Sequence, residues 1–251
     1  MKYTTAMLIF DSVHNVVYGQ STRIMPIISF EHKKHSKSIY HMLKIINLKT
    51  DKTKLSNIKS NFDEHHIHYE IFNGIDGLDY TLTECDRTRL QNVDYNIFKQ
   101  VGVVGCHLSH ICLLEHFVKN TTLNHMIVCE DNIRIIDPRF NDVINNIMHE
   151  DFDIVYMYCG MDPTLGRKPH KPVTEIYSLY NCTHRWYEQG ARIYMISRTG
   201  ANKVLSAYYR GECRNAIDYF MLSVLDNSMA LYPNICKYDN TSSSIEARGG
   251  H

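Results

Sequence analysis

The sequence lacks an excess of charge of either sign and lacks a long apolar run. Its 27 basic and 27 acidic side chains cancel, so no net field attracts nucleic acid or an anionic membrane. No apolar stretch approaches the ~18–20 residues that span a bilayer. Asp11 interrupts the apolar run near the N-terminus before it reaches the length of a signal peptide. We therefore expect neither a nucleic-acid partner nor a membrane span.

Paired cysteines are also absent, because all eight cysteines stand singly and none forms a Cys-x-x-Cys motif. Several lie inside apolar runs, as buried free thiols do. The pattern favours a cytoplasmic or other reducing compartment. In such a compartment the glycosylation sequons at Asn120, Asn181 and Asn240 would have no role.

The composition is that of an ordinary globular protein, with 44% apolar and 22% charged residues in 251. That length is enough for one large domain with appendages. We predict an N-terminal extension over residues 1–42, formed by a possible hairpin and a linker. One domain is predicted over residues 43–238, followed by a flexible tail over 239–251.

From Leu43 onward, short apolar runs alternate with amphipathic stretches. This alternation predicts βαβ units and an α/β fold with a mostly parallel central sheet flanked by helices. The predicted strands cover residues 43–48, 69–72, 126–129, 154–158 and 193–196, and the predicted helices cover 52–61, 109–120, 141–148, 199–206 and 217–225. Ser109 is placed to cap its helix. Residues 78–104 are ambiguous, and 159–189 are predicted to form a long loop.

Two acids and an amide, Glu130-Asp131-Asn132, follow the predicted strand 126–129 directly. In α/β proteins ligands bind at the carboxyl ends of strands. Clustered oxygen ligands there suit a hard divalent cation that holds substrate phosphates. Taken alone, Asp131-Asn132 is equally consistent with a simple turn.

Several blocks, taken in order, resemble those of glycosyltransferase family 25, which contains bacterial lipopolysaccharide galactosyltransferases and procollagen galactosyltransferases. The most specific is Gly-x-x-Gly-Cys-x-Leu-Ser-His over residues 102–110. The other matching blocks are the strand Ile46-Asn47-Leu48, the turn Asp76-Gly77, the acidic motif Glu130-Asp131-Asn132, the Ser-x-x-Gly-Ala block within 190–205 and the late segment 217–221. The resemblance runs from about residue 43 to about residue 233.

The resemblance implies a GT-A type, Rossmann-like fold, a UDP-sugar donor, a divalent metal (commonly Mn2+) and inversion at the anomeric carbon. UDP-galactose or UDP-glucose is the favoured donor, and the acceptor is a hydroxyl of a glycan or of a collagen-like hydroxylysine. The implied metal residues are Glu130 and Asp131, and the implied catalytic base is Asp218. The implied donor-binding residues are Asn47, Leu48, Asp76, Gly77, Gly105, Ser109, His110 and Asn132.

The physical chemistry agrees with these roles. A metal held by strand-end acids can neutralise the charge that develops on a diphosphate leaving group. An inverting transfer also needs a base within reach of the acceptor hydroxyl. Asp218 begins a predicted helix, where an aspartate can equally do no more than stabilise the helix dipole.

Two other interpretations stay open. The family motif usually reads Glu-Asp-Asp, and Asn132 replaces its last acid. An amide brings no charge, so the chain could be a catalytically weak protein that only binds nucleotide sugars. The second is a zinc or thiol site, since Cys106 and His110 are spaced to share a helix face; His107 and Cys112 would be the remaining ligands.

A few basic residues are weaker candidates for the site. Lys49, Lys52 and Lys54 could assist at the phosphates, but lysines on a helix are usually solvated. His184 in the predicted loop could reach the metal. The cluster His65, His66 and His68 is read as surface.

Overall fold

The computed structural model describes residues 42–93, 101–160, 168–182 and 190–239. The predicted hairpin and linker before residue 42, the tail after residue 239 and His184 lie outside these ranges.

The described chain folds into strands and helices in the alternating order that the sequence predicts. The strands are β1 (Leu43–Asn47), β2 (Glu70–Asn73), β3 (His125–Glu130), β4 (Ile133–Ile135), β5 (Ile154–Tyr156), β6 (Lys171–Pro172), β7 (Ser178–Asn181), β8 (Ile193–Ser197), β9 (Ser228–Tyr232) and β10 (Cys236–Tyr238). The helices are α1 (Lys52–Glu64), α2 (Glu84–Leu90), α3 (Val101–Asn120), α4 (Phe140–Ile147), α5 (Arg198–Tyr209) and α6 (Ile217–Val224).

Eight of these strands form one sheet in the order β2-β1-β3-β8-β5-β9-β7-β6. β1 pairs in parallel with both β2 and β3, and β5 pairs in parallel with β9. Only β8 and β7, of the eight, run against the common direction. The predicted α/β class with a mostly parallel sheet is therefore confirmed. β4 and β10 form a separate antiparallel pair.

Helices cover both faces of the sheet, and the side chains of each strand alternate between two cores. Met126 and Val128 of β3 pack on the side of α3, α5 and α6. Ile127 and Cys129 pack on the side of α1 and α4. We call these the α3 side and the α1 side of the sheet. Strand alternation thus decides which helix each β3 residue meets.

The central helix of the α3 side is α3 itself. It is long and apolar enough to span a membrane by length and composition, and 61% of that stretch is buried inside the protein. Leu108, Ile111 and Leu114 are fully buried in the core. Its apolar character is therefore accounted for by packing between the sheet and α5.

The prediction that Ser109 caps a helix is wrong, because α3 already includes Val101. Ser109 lies inside the helix, where its hydroxyl donates to the carbonyl oxygen of Gly105 at 2.7 Å. The Ser109 hydroxyl oxygen also accepts a hydrogen bond from the backbone N–H of Ile75 at 2.7 Å. Ser109 therefore fastens the loop after β2 to the helix.

The prediction of a single loop over 159–189 is also wrong. β6 and β7 lie within it, and β7 pairs antiparallel with β9. Strands this short show no clear alternation of apolar and polar residues, so the sequence does not predict them. They form because β7 pairs with β9, which is distant in the sequence. α2 lies in the ambiguous region, and it begins with a capping box in which the Thr83 hydroxyl and the Asp86 carboxylate bind each other's backbone N–H.

Candidate active site

A cavity opens at the carboxyl ends of β1 and β3. The strand order reverses at this point, because β1 has β2 on one side and β3 on the other, and ligands of open α/β sheets bind at such a reversal. The cavity measures about 630 Å³ including its solvent-open mouth. It brings together most of the predicted site residues, namely Leu48, Asp76, Gly77, Ser109, His110, Glu130, Asp131 and Asn132.

The two acids of the motif occupy opposite sides of the sheet. Glu130 continues the alternation of Met126 and Val128, and its Oε1 lies 3.6 Å from the Cys106 sulfur and 3.6 Å from His110 Nε2. Asp131 turns to the α1 side, where its Oδ2 accepts a hydrogen bond from Asn47 Nδ2 at 2.7 Å. The cavity reaches both because it lies across the end of the strand.

On the α1 side, burial raises the pKa of Asp131 to about 6, although the hydrogen bond from Asn47 and the charge of Lys54 act in the opposite direction. Lys54 is buried, lines the cavity and lies 3.3 Å from the Asp51 carboxylate. Reading Lys54 as a solvated surface lysine is therefore wrong, whereas Lys49 and Lys52 are exposed. The signal in the sequence was its spacing, since Lys54, Ile58 and Asn61 recur on the buried face of α1.

On the α3 side, His110 is fully buried and its Nδ1 lies 2.8 Å from the Tyr194 hydroxyl. Its Nε2 has no hydrogen-bond partner among the residues that the structure describes. Burial and then the charge of Glu130 raise the pKa of Cys106 well above its ordinary range. Burial would also raise the pKa of Glu130, but His110 and Arg192 outweigh it, and that pKa lies below its usual value.

Asn132 completes the rim of the cavity. Its backbone oxygen accepts from the N–H of Asp239 at 2.8 Å. Its side-chain Oδ1 is buried and finds no hydrogen-bond partner within the described ranges. An unsatisfied amide oxygen next to the Asp131 carboxylate is a donor set that a hard divalent cation accepts. The residues present are therefore compatible with such a cation.

Asp218 lies in the first turn of α6, and its Oδ1 accepts the backbone N–H of Tyr219 at 2.9 Å. Burial raises the pKa of Asp218, and the nearby charge of Glu130 raises it further. The charge of Asp218 in turn raises the pKa of Cys106. Asp218 is therefore beside the same site, although it is not among the residues that line the cavity.

The family description "Glycosyltransferase family 25 (LPS biosynthesis protein)" matches residues 41–221. The chain belongs to glycosyltransferase family 25. It is therefore a glycosyltransferase, an enzyme that takes a sugar donor and an acceptor. The sheet described above confirms the predicted α/β class with a mostly parallel central sheet, and its assignment to the GT-A type stays a prediction.

Two solved structures are similar to this glycosyltransferase at low identity. A197 from STIV shares 11% identity at a TM-score of 0.41, over 79% of this chain and 84% of its own. The galactosyltransferase LgtC, in complex with donor and acceptor sugar analogues, shares 9% identity at a TM-score of 0.40, over 75% of this chain and 72% of its own. Comparison with curated proteins finds no match.

Two glycines of the family blocks let the loop after β2 pack directly on α3. A Cβ atom on Gly77 would lie 1.7 Å from the carbonyl oxygen of Val101. One on Gly105 would lie 2.6 Å from the carbonyl oxygen of Ile75. The close approach that these glycines allow is therefore between loop and helix, and their contact with a donor stays a prediction.

The four-residue zinc site of the sequence analysis does not form. His107 points away from Cys106, its Nε2 lies 3.5 Å from the Cys213 sulfur, and burial lowers its pKa to about 3. Cys112 is buried in the apolar core. Successive helix positions face different directions, so only Cys106 and His110 of the set meet.

Arg192, the residue before β8, is a charged group of the site that sequence reasoning did not single out. Its backbone oxygen accepts the N–H of Glu130 at 2.7 Å, and its guanidinium lies 4.3 Å from the centre of the Tyr238 ring. It reaches the site because β8 runs antiparallel to β3, which places the start of β8 beside the end of β3. The local sequence contains no sign of that strand direction.

Proposed function

We propose that this glycosyltransferase moves a hexose from a UDP-linked sugar to a hydroxyl group, with inversion and with the help of a divalent cation, manganese being the first choice. The observation that carries the proposal is that Asp131 and Asn132 both line the cavity at the strand-order reversal, and that the buried Oδ1 of Asn132 has no hydrogen-bond partner within the described ranges. UDP-galactose or UDP-glucose is the favoured donor. The acceptor would be a glycan hydroxyl or a collagen-like hydroxylysine.

Asp131 and Asn132 would hold the cation, and Glu130, which faces the other side of the sheet, would act on it through water. When bound, the cation would neutralise charge that develops on the diphosphate leaving group. Lys54 on the cavity wall adds a positive charge near the same position. The donor would rest against the loop 74–77 and the first half of α3, whose residues Asp76, Gly77 and Ser109 line the cavity.

Asp218 would accept the proton of the acceptor hydroxyl as general base. A carboxylate whose pKa is raised by burial is a stronger base than a solvated one, which suits that role. Ala216, at the N-cap of α6, makes no side-chain cap bond. Asp218 could therefore also serve the helix dipole alone, and only a kinetic test separates the two roles.

The proposal is tested by incubating the full chain with single UDP-sugars, Mn2+ and a panel of hydroxyl acceptors, and by measuring UDP release. We expect release above the acceptor-free rate with one hexose donor and its loss when a chelator removes the cation. Release that is unaffected by the chelator would contradict the metal-dependent mechanism.

A second candidate function rests on Asn132, which brings no charge to the cation. The chain would then bind a nucleotide sugar without turning it over. Saturable binding of UDP-sugars by calorimetry, with no UDP release for any donor and acceptor pair, would support this alternative and reject the transfer reaction.

A further inference from the structure

Three side chains of the α3 side converge on one point of the cavity wall. Cys106 and His110 stand one helical turn apart on α3, and Glu130 faces them from the end of β3. Their sulfur, nitrogen and oxygen ligand atoms all lie within 4.8 Å of one another. This set differs chemically from the all-oxygen pair of Asp131 and Asn132 across the strand.

Two of the three separations match those of a tetrahedral metal centre, and the third, between the Cys106 sulfur and the ligand nitrogen of His110, is at most 4.8 Å. Zinc bonds to sulfur, nitrogen and oxygen of roughly 2.0–2.3 Å place neighbouring ligand atoms about 3.4–3.6 Å apart. Glu130 Oε1 is 3.6 Å from the Cys106 sulfur and 3.6 Å from His110 Nε2. Three ligand atoms at these separations are close enough to bind one ion.

The orientation of His110 points to the same conclusion independently. The ring is 0% exposed, and its Nε2 has no hydrogen-bond partner among the described residues although it faces the cluster. Its other nitrogen, Nδ1, is held at 2.8 Å by the Tyr194 hydroxyl. A metal-binding histidine is oriented in this way, with one nitrogen on the ion and the other on an outer partner.

We propose that Cys106, His110 and Glu130 form a binding site for a zinc-class ion, separate from the hard-cation site at Asp131 and Asn132. Thiolate and imidazole ligands select softer ions than carboxylate and amide oxygens do. Three protein ligands leave a fourth position open, and all three residues line the cavity. An ion bound there would change the wall against which the donor rests. This site goes beyond the proposed transfer reaction and does not require it.

Cobalt(II) is the probe for this site, because it replaces zinc and its spectrum reports on the ligands. We expect metal-free full-length protein to bind one Co2+ with a near-ultraviolet thiolate charge-transfer band and intense visible bands typical of tetrahedral geometry. Zn2+ should displace the cobalt, and the same concentration of Mg2+ should not. Tyr194→Phe should keep the band and weaken zinc affinity by roughly 10–100-fold, because the outer partner of His110 is lost.

Cys106→Ser is the decisive variant, and Cys112→Ser is its matched control, since Cys112 is a buried cysteine on the same helix outside the cluster. The first should abolish the charge-transfer band and the second should retain it, with circular dichroism confirming that both are folded. Absence of the band in folded wild-type protein, or its survival in Cys106→Ser, would overturn the proposal. The readout is optical, so it stands or fails independently of any UDP-sugar assay.

Discussion

At the end of β3, two adjacent acids emerge on opposite sides of the sheet, and their pKa values move in opposite directions. On the α3 side, His110 and Arg192 outweigh burial and lower the pKa of Glu130. On the α1 side, Asn47 and Lys54 do not outweigh burial, and the pKa of Asp131 rises to about 6. The comparison shows that the face on which a strand-end acid emerges decides its partners and the direction in which its pKa moves, even within a three-residue motif.

The largest effect is expected at Asp218, next to the α3 side. Asp218→Asn should leave UDP-sugar binding near normal and reduce transfer by roughly 10²–10⁴-fold, because a general base is lost while the fold is kept. Binding by calorimetry and UDP release should be measured on the same preparation. If binding is lost together with turnover, Asp218 belongs to the donor or cation site and the division of roles is wrong.

On the α1 side, Asp131→Ala should reduce cation-dependent transfer by roughly 10²–10³-fold, because the charge on the leaving group is no longer offset. Mn2+ titration of UDP release is the measurement. Asp63→Ala is the matched control, since Asp63 is an exposed acid on α1. Activity equal to that of the control would refute a cation site at Asp131.

A third prediction concerns the loop that joins the donor cavity to α3. Gly77→Ala should cost about 1–3 kcal/mol of unfolding free energy, because the added methyl group meets backbone that cannot move aside. Gly74→Ala, in the same loop, should cost less, since its Cβ would lie 3.2 and 3.3 Å from side-chain atoms of Ile46 and Leu48 and at an ordinary contact distance of 3.5 Å from the backbone oxygen of Asn47. Urea denaturation measures both. Equal losses would mean that the loop does not pack rigidly on the helix.

The smallest effect is expected for Asn132→Asp, which restores the acid usual in the family. A further negative ligand should tighten Mn2+ binding by about tenfold, because cation affinity in oxygen sites increases with ligand charge. Direct Mn2+ binding measurements are the test, with wild type as reference. An unchanged affinity would show that the side chain at 132 does not reach the cation.

The parts of the fold that depend on local periodicity could be predicted from the sequence, and those that depend on distant pairing could not. The apolar runs at 43–48 and 126–129 predicted β1 and β3, and the acids after β3 indicated the cavity. The direction of β8 follows from its neighbours β3 and β5, so the arrival of Arg192 at the site had no local signal.

The site itself shows the same limit. The spacing of Cys106 and His110 shows that they share one helix face. Their third partner, Glu130, comes from a strand, and the sequence motif groups it with Asp131 instead. Lys54 follows the buried stripe of α1, yet its charge argued for solvent. In both cases the tertiary arrangement, rather than residue type, decides the role.

The pairing of β10 with β4 has a consequence for how the enzyme is made. β4 begins directly after Asn132 and pairs with β10 near the end of the described chain. The N–H of Asp239 donates a hydrogen bond to the backbone oxygen of Asn132 itself. A ribosome must therefore deliver about a hundred further residues after the acidic motif before the cavity rim is complete. We therefore expect a newly made chain to complete the rim of the cavity only late in its synthesis.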